Sequence, residues 1–386
     1  MRVLQVVPSI SPNTGAPGNT TTFVRYLLKY GIDATVVTTN AEINGCRPAL
    51  PEDRVSQDGV PCIVHRVARL GRRWKFAPSL ATTVRSMVPS YDLVHIHWLY
   101  DFSSIAAARA ALAAGVPFVL QPRGSLDPHL FRTNRFVKRA YLATVGRPLL
   151  SRAAAVIFTA EQERQRAAYP VHRPAWIVPV GLDMTRFEAL PPRGTFRRAC
   201  PTVDGPFLLF LGRLSPQKGL DLLLRAFRRI LQTRGNLWLV LAGPDYRGYE
   251  AQVRRLASDL GVTHRVVLTG LVGHEMKLAA FVDAELFVLP SHAENFGVVI
   301  TEALACGLPV VISDQVNIHR ELSAADAATV VHCTVDSVAA GIDAALGDPD
   351  LRRRISVRGP DLVRACYTWD AVVPMLIKRY REVLHG

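Results

Sequence analysis

The sequence predicts an α/β protein with two doubly wound domains, each a mostly parallel sheet between layers of helices. Short apolar runs with the length of buried strands alternate with segments of helical spacing along most of the chain. The length of 386 residues is more than one hydrophobic core normally holds. Because 49% of the residues are hydrophobic and 20% are charged, the composition is typical of a folded globular protein and excludes a disordered chain.

The first domain is predicted over residues 1–184 and opens as a βαβ unit. A loop, SPNTGAPGNT, separates its first strand from an amphipathic helix at residues 23–29. Gly15 and Gly18 in this loop would let backbone N–H groups approach a ligand closely, although a flexible turn explains both glycines equally well. Strands are predicted at residues 3–10, 34–38, 91–98, 116–120, 151–158 and 176–183, with a further helix at 159–168.

The second domain is predicted over residues 185–368. It opens with a stretch rich in Pro, Arg and Gly, from Met184 to Pro206, which is predicted to be a linker. A second alternating series follows, and such alternation indicates a parallel sheet with right-handed crossovers. Its strands are predicted at residues 207–214, 237–243, 265–271 and 285–290, and a last helix at 369–384.

The stretch at residues 290–309, PSHAENFGVVITEALACGLP, carries the clearest chemical signal. It is predicted to form a strand end, a loop with Glu294, and a helix with Glu302 about a turn inside. The free N–H groups and partial positive charge of a helix N-terminus suit a diphosphate, and each carboxylate can accept from neutral hydroxyls. A phosphate with sugars on both sides fits this pattern. The alternative is an ordinary βα unit with two solvated acids.

The order ENFGVVITEALACGLPVV resembles the Glu-x7-Glu region of glycosyltransferase family 4, the retaining transferases of the GT-B fold that include bacterial polysaccharide-biosynthesis enzymes. A second block, GRLSPQKGLDLLLRAF at residues 212–227, resembles the family segment after the first strand of the nucleotide domain. The resemblance implies two Rossmann-like domains facing across a cleft. Residues 1–184 with 369–386 would bind the acceptor, residues 185–368 the nucleotide sugar, and the last helix would cross back to the first domain.

The same resemblance implies an activity and a donor site. The enzyme would move a hexose from a UDP- or GDP-sugar to a glycan or lipid-linked oligosaccharide in cell-surface polysaccharide biosynthesis, with retention. Glu302 would hold the ribose hydroxyls, and Glu294 would act at the transferred sugar as a catalytic residue. The remaining donor contacts implied by the resemblance are Gly15, Gly270, Leu271, Ser291, Asn295, Phe296, Gly297 and Val298.

Glycosyl transfer requires neutralisation of the leaving diphosphate, and we expect protein cations to provide it without a metal or other cofactor. The resemblance assigns this role to Arg213 and Lys218, which follow the first strand of the second domain; the alternative is two solvated cations. The Asp-x-Asp sequence at Asp348 and Asp350 precedes a predicted helix, and a helix N-cap is expected there rather than a metal site.

Two parts of the first domain are candidates for acceptor chemistry. His95 and His97 share one face at the carboxyl end of a predicted strand, where ligands bind in open α/β sheets. His97 is the catalytic candidate, and a hydrogen-bonded core histidine is the alternative for either. Arg123, next to Gly124, stands where family members commonly have histidine. Because arginine stays protonated, we expect Arg123 and Gly124 to bind acceptor rather than to move a proton.

Two other functions are compatible with the composition and fold. A net charge of +14 raises the possibility of a nucleic-acid-binding protein, but the sequence lacks the usual aromatic-and-basic modules. A phosphorylase or epimerase could share the fold, although no pyridoxal-lysine context is evident. The six cysteines lack Cys-x-x-Cys pairs, so neither a zinc site nor a disulfide framework is indicated.

The positive charge is concentrated in the first domain. Residues 1–184 hold 22 Lys and Arg against 11 Asp and Glu, a balance of +11, whereas residues 185–386 hold 24 against 21, or +3. Basic and apolar side chains mix at residues 66–76 and 132–152, which suits an anionic membrane surface; a solvated basic surface is the alternative. With no apolar run of about 18 residues and no signal peptide indicated, we expect a cytoplasmic protein, peripheral at the inner face of the membrane.

Overall fold

The computed structural model describes residues 1–10, 15–41, 53–69, 74–132 and 134–385, and only the backbone at 15–19 and 132. The chain forms two compact units. One contains Met1–Gly181 with Trp369–Gly386, and the other contains Leu182–Thr368. The sequence analysis placed the boundary after residue 184, three residues later.

The first unit is built on one sheet with the strand order β3-β4-β2-β1-β5-β6-β7-β8. The strands are β1 Arg2–Val6, β2 Asp33–Thr39, β3 Asp53–Gln57, β4 Val60–His65, β5 Leu93–His97, β6 Phe118–Gln121, β7 Ala155–Phe158 and β8 Ala175–Ile177. All neighbours pair in parallel except β3 and β4, which form an antiparallel edge hairpin. The sequence pattern does not indicate this hairpin, because its outer strand, DRVSQ, has a single apolar residue and lies at the sheet edge.

The helices of the first unit that precede Gly181 alternate with its strands. They are α1 Gly15–Lys29, α2 Pro78–Met87, α3 Phe102–Ala114, α4 Arg135–Tyr141, α5 Arg147–Arg152 and α6 Glu161–Arg166. Two boundaries differ from the expectations. The predicted glycine-containing loop is helical from Gly15 onward, so that α1 starts eight residues earlier. The predicted strand at 151–158 begins only at Ala155, because α5 continues to Arg152 and a π-helical turn, Leu142–Gly146, joins α4 to α5.

The second unit has a six-stranded parallel sheet with the order β11-β10-β9-β12-β13-β14. Its strands are β9 Phe207–Leu211, β10 Trp238–Ala242, β11 Val266–Gly270, β12 Leu286–Leu289, β13 Val310–Ser313 and β14 Thr329–Val331. Its helices are α7 Thr195–Ala199, α8 Leu220–Ile230, α9 Tyr249–Asp259, α10 His274–Asp283, α11 Val298–Ala305, α12 His319–Ala324, α13 Val335–Gly347 and α14 Pro349–Cys366. The prediction of two α/β units with mainly parallel sheets is therefore confirmed.

The stretch expected to be a linker, residues 184–206, is instead part of the second unit. It contains the 3₁₀ turn Met184–Phe187 and the helix α7, with Phe196 buried. The Asp283 carboxylate accepts hydrogen bonds from the backbone N–H groups of Gly194 and Phe196, at 2.5 and 2.8 Å. This side-chain cap satisfies the helix start, which a composition argument could not foresee because Asp283 lies nearly 90 residues away.

The last helix, α15 Trp369–His385, belongs to the first unit, as predicted. Its Tyr380 is completely buried, and Trp369 packs on Phe23 with ring centroids 5.3 Å apart. Asp370 accepts from Lys29 Nζ at 2.6 Å and from the Tyr30 hydroxyl at 2.8 Å. Among the described helices, none is long and apolar enough to cross a membrane.

Candidate functional site

The switch point of the second sheet lies between β9 and β12, where the strand order reverses. The connections after these strands, residues 212–219 and 290–297, begin at the carboxyl ends of the strands, where open α/β sheets bind ligands. They are also bound to each other. His292 N–H donates to Gln217 O at 2.9 Å, and Gln217 Nε2 donates to Ala293 O at 2.8 Å. The two blocks recognised in the sequence therefore meet at the position where open α/β sheets bind ligands.

Lys218 and Glu294 form an ion pair between these two connections. Their side chains are only 16% and 14% exposed, so water screens the pair weakly. Lys218 ends a 3₁₀ turn, Pro216–Lys218, and Gly219 follows with a φ of +70°. A Cβ at Gly219 would lie 1.9 Å from Pro290 O, so only glycine permits this approach of the two connections.

The backbone of Glu294 is fixed on both sides. Its N–H donates to Gln315 O at 3.1 Å, and its carbonyl accepts from Asn317 N–H at 3.0 Å. Three residues later, Gly297 is the N-cap of α11 with a φ of +75°, and a Cβ there would lie 2.7 Å from Ile300 Cδ1. Glu294 therefore stands beside the N-terminus of α11, where anions are stabilised.

Glu302 lies in the second turn of α11 and pairs with a residue that the sequence analysis did not single out. Its carboxylate accepts from Lys277 Nζ at 2.7 Å, and both side chains are less than one-fifth exposed. Lys277 is in α10, which follows β11 and the turn at Gly270. In this structure, each carboxylate of the Glu-x7-Glu pair thus has its own lysine partner.

The other candidate donor residues differ in their surroundings. Gly270, with a φ of +68°, ends β11 next to the exposed Leu271. Ser291 is buried, and its Oγ has no hydrogen-bond partner among the described residues. The Arg213 guanidinium lies 5.0 Å from the centre of the Tyr246 ring. Asn295 and Val298 are partly exposed and Phe296 is buried. In the first unit, Gly15 is the first residue of α1, and its surroundings lie outside the described part of the chain.

The two histidines of β5 lie in the interior of the first unit. Their rings stack with centroids 4.0 Å apart, which confirms that they share one face. His97 Nε2 donates to Gln5 Oε1 at 2.8 Å, and His95 Nδ1 lies 2.6 Å from the Tyr380 hydroxyl. Burial holds the pKa of both imidazoles well below the ordinary value, so both are neutral. His97 is completely buried, which is the geometry of a core histidine, and its catalytic role remains a prediction.

Arg123 follows β6 in a strained loop close to these histidines. Its φ is +50°, its Nε donates to Gln121 Oε1 at 3.1 Å, and its guanidinium lies 4.9 Å from the centre of the Trp98 ring. Burial lowers the pKa of Arg123 to about 10, which still leaves it protonated at neutral pH, and the nearby Glu163 opposes the decrease. Gly124 donates its N–H to Glu163 Oε1 at 2.6 Å, so this donor is already used within the protein.

A cavity of about 660 Å³ opens in the first unit around α4 and α5. Three arginines line it together with aromatic and aliphatic side chains. The lining residues are Pro128, Phe131, Arg135, Arg139, Leu142, Ala143, Arg147, Ala168 and Tyr169. Next to it on α4, Phe136 and Val137 are 78% and 71% exposed. Of the other basic segment, residues 70–73 lie outside the described part of the chain, including Arg72 and Arg73.

The Asp-x-Asp sequence forms a helix cap. Asp348 is the N-cap of α14, and its carboxylate accepts from Leu351 N–H at 2.9 Å, which confirms the expected N-cap. Asp350, in the first turn of that helix, pairs with Arg353 at 3.0 Å. In the described part of the chain, no three His, Cys, Asp or Glu side chains are grouped so that they could hold a metal ion.

Sequence reasoning missed several residues that the fold brings to these sites. They are Lys277 beside Glu302, Glu163 behind Gly124, Tyr380 at His95, and Asp221 with Cys333 at His292. Each is separated from its partner by 25 to 285 residues. Single-sequence patterns contain a signal for only one of them: Lys277 is on the first helix after Gly270 and Leu271, which the sequence analysis names as donor contacts.

Comparisons with known proteins cover both units. Residues 15–181 match the family described as Glycosyl transferase 4-like domain, and residues 195–361 match Glycosyl transferases group 1. The D-inositol 3-phosphate glycosyltransferase of Acidothermus cellulolyticus is 28% identical over 325 residues, 76% of this chain and 68% of its own. The GDP-mannose:cellobiosyl-diphosphopolyprenol alpha-mannosyltransferase of Xanthomonas campestris is 28% identical over 82% of this chain and 81% of its own. The structure of Anabaena HepE in complex with UDP and glucose superposes with a TM-score of 0.79 at 19% identity, covering 99% of this chain and 100% of HepE.

Proposed function

Because the chain belongs to the family 4-type glycosyltransferases of the GT-B fold, we propose that it transfers a hexose from a nucleotide diphosphate sugar, with retention of configuration. The acceptor is a glycan or a lipid-linked oligosaccharide of cell-surface polysaccharide biosynthesis. One observation carries the proposal. The Lys218–Glu294 ion pair lies beside the N-terminus of α11 at the switch point of the second sheet, so that a cation, a carboxylate and a helix N-terminus converge.

Each of these groups has a part in the proposed reaction. Lys218 and Arg213 neutralise the charge that develops on the diphosphate as the bond to the sugar breaks, and the N–H groups from Asn295 to Val298 hold the distal phosphate. Glu294 accepts hydrogen bonds from hydroxyls of the transferred sugar. Donor binding requires Lys218 to turn from Glu294 towards the phosphate, which leaves the carboxylate available for the sugar.

The Lys277–Glu302 ion pair supports a role for Glu302 at the nucleoside of the donor, equivalent to the role of Glu294 at the transferred sugar. Glu302 is proposed to accept from the ribose hydroxyls, and Lys277 holds its carboxylate in position until the donor enters. The turn at Gly270 and Leu271 is proposed to contact the nucleobase. Its open backbone, with no atom within 4 Å of a Cβ at Gly270, leaves room for a planar ring.

The names of similar proteins limit the choice of donor. The Xanthomonas relative is named for GDP-mannose, and the Anabaena structure contains UDP and glucose. A UDP-hexose or GDP-hexose is therefore proposed. Thermal shift with UDP, GDP and ADP, followed by hydrolysis of the corresponding hexose donors, tests this choice. A shift of similar size with all three nucleotides, or with none, would contradict a specific nucleotide-sugar site.

Catalysis is proposed to need no metal or other cofactor, since Arg213 and Lys218 supply the positive charge at the phosphates. In the first unit, Arg123 and Gly124 are proposed to belong to the acceptor-binding site, with His97 as a catalytic residue. The positive charge of Arg123 suits a phosphate or carboxylate on the acceptor, because a guanidinium can form two parallel hydrogen bonds to either group.

A cytoplasmic enzyme bound peripherally to an anionic membrane surface is proposed. The cavity at α4 supports this, since Arg135, Arg139 and Arg147 can pair with lipid phosphates while the exposed Phe136 and Val137 enter the headgroup layer. Basic residues near such a surface contribute about 1 kcal/mol each, enough for reversible binding by three or four of them. An acceptor attached to a lipid diphosphate would then lie at the same surface.

Cosedimentation with vesicles tests the membrane proposal. Binding to vesicles with anionic lipid should decrease with salt and should be lost in the double variant Arg135→Glu and Arg139→Glu. A matched control is Arg353→Glu with Arg364→Glu, which makes the same change of charge on exposed residues of α14. Equal binding to neutral vesicles, or an equal loss of binding in both double variants, would contradict the proposal that the surface at α4 binds anionic membranes.

A further inference from the structure

The second unit contains a cysteine, a histidine and an aspartate in hydrogen-bonding order. Cys333 follows β14, His292 follows β12, and Asp221 is in the first turn of α8. Cys333 Sγ lies 3.3 Å from His292 Nδ1, and His292 Nε2 lies 3.1 Å from Asp221 Oδ1. Since the carboxylate can only accept, Nε2 carries a proton and Nδ1 faces the thiol.

Several contacts hold the imidazole in this position. His292 N–H is bonded to Gln217 O, and the ring lies between the carboxylate and the sulfur with 32% of the side chain exposed. Hydrogen bonding to Asp221, and then to Cys333, raises the pKa of His292 to about 10. The imidazole is therefore protonated on both nitrogens at neutral pH, and its Nδ1–H lies in position to stabilise a thiolate at Cys333.

The other described cysteines have different surroundings. Burial raises the pKa of the Cys62 thiol to about 11 and that of Cys306 to about 12, so both stay protonated and unreactive. Cys366 is exposed on the last turn of α14, and Cys200 is partly exposed. Cys333 is also partly exposed, so that small reagents can reach it.

We propose that Cys333 is a site of covalent modification, at which His292, oriented by Asp221, promotes reaction of the thiol with small electrophiles such as hydroperoxides. Neither the proposed donor site nor the acceptor side uses this thiol. The proposal does not depend on the identity of the donor, because it concerns the reactivity of the sulfur itself.

The reaction of Cys333 with a hydroperoxide needs only the thiol, the His292 imidazole, solvent and the peroxide. The thiol proton passes to solvent, and the Nδ1–H of the His292 imidazolium stabilises the thiolate, whose sulfur attacks one peroxide oxygen. The S–O bond forms while the O–O bond breaks, and the leaving hydroxide takes the proton from the imidazolium to become water, or an alcohol from an organic peroxide. The imidazole regains its proton from solvent at the end of the reaction. Sulfur is oxidised to a sulfenic acid, and the peroxide is the reduced partner.

The position of the sulfur gives the modification a structural consequence. Cys333 Sγ is 3.7 Å from Ser291 O and 3.9 Å from Pro290 O, in the connection that leads to Glu294. A group added on this side of the sulfur would displace this backbone or His292. Modification should therefore weaken the binding of nucleotides; this last consequence rests on the proposed function.

Alkylation with iodoacetamide followed by peptide mass spectrometry tests the proposal on the full chain at about pH 7. We expect Cys333 to react at least about tenfold faster than the exposed Cys366 in the same molecules, because the thiolate is the reacting form. His292→Gln should reduce the rate at Cys333 to that of Cys366 or below, with the rate at Cys366 unchanged. Asp221→Asn provides a second variant, with a smaller decrease, in case His292→Gln does not fold.

Treatment with hydrogen peroxide and then dimedone provides a second measurement. The adduct should form at Cys333 and be absent from Cys333→Ser. Wild-type Cys333 that reacts no faster than Cys366, or an alkylation rate unchanged in both His292→Gln and Asp221→Asn, would overturn the proposal. The alkylation result is independent of glycosyl transfer, so a failure of the proposed function would not affect it.

Discussion

Replacement of Lys218 by alanine tests the proposed donor site most directly. Loss of one cation from a leaving diphosphate is expected to reduce kcat about 100-fold, which corresponds to ~3 kcal/mol of transition-state stabilisation. The decrease should affect kcat more than KM, because negative charge on the diphosphate increases as the sugar leaves.

The same substitution should also reduce stability. The Lys218–Glu294 pair is mostly buried, with 16% and 14% of the side chains exposed, and alanine would leave the carboxylate without its cation. Removal of one partner costs about 3–5 kcal/mol in fully buried pairs and about 0–1 kcal/mol in exposed ones, so we expect about 2 kcal/mol here. For a domain of this size, such a loss lowers the melting temperature by about 4–8 °C.

Lys277→Ala is the matched control. The Lys277–Glu302 pair has a similar exposure, so the melting temperature should fall by a similar amount. Because Lys277 is proposed to orient Glu302 at the ribose, which does not change charge in the reaction, the effect should be mainly on KM. Initial rates for both variants with the donor identified by nucleotide screening, together with melting curves, separate the two roles.

A double variant, Lys218→Met with Glu294→Gln, distinguishes loss of catalysis from loss of stability. It removes both charges and should restore most of the melting temperature while turnover stays low. Lys218→Ala with a kcat within about threefold of the wild type would refute the assignment of Lys218 to the leaving group.

Three further predictions concern the acceptor side, metals and pH. Arg123→Lys should reduce transfer at least about tenfold, because a point charge does not replace a bidentate guanidinium; an Arg123→His variant more active than the wild type would contradict acceptor binding by Arg123. Transfer should persist in excess EDTA, whereas complete loss that manganese restores would show that a metal is required. The pKa of His292 is raised from 6.5 to about 10 in the folded state, so its stabilising effect is full below about pH 6.5 and disappears as pH rises through about 10. Melting temperatures of wild type and His292→Gln should therefore converge between these values, and a constant difference would refute this linkage.

The sequence by itself determined the alternation of strands and helices, the Glu-x7-Glu stretch, and the existence of the terminal helix, whereas its place in the first unit was implied by the family resemblance. These are local properties, since apolar periodicity and turn residues act over a few positions. The N-cap at Asp348 was predictable for the same reason, because a cap and its helix are adjacent in sequence.

Only the tertiary structure decided which distant groups meet. The apparent linker is part of a domain because Asp283 caps α7 across nearly 90 residues, and the carboxylates of Glu294 and Glu302 are each paired with a lysine from another segment. From the sequence, His97 is a catalytic candidate at a strand end with a core histidine as the alternative, and packing places it in the interior against Gln5. The physical reason is that strand order and side-chain packing set these contacts, and neither leaves a periodic trace in one sequence.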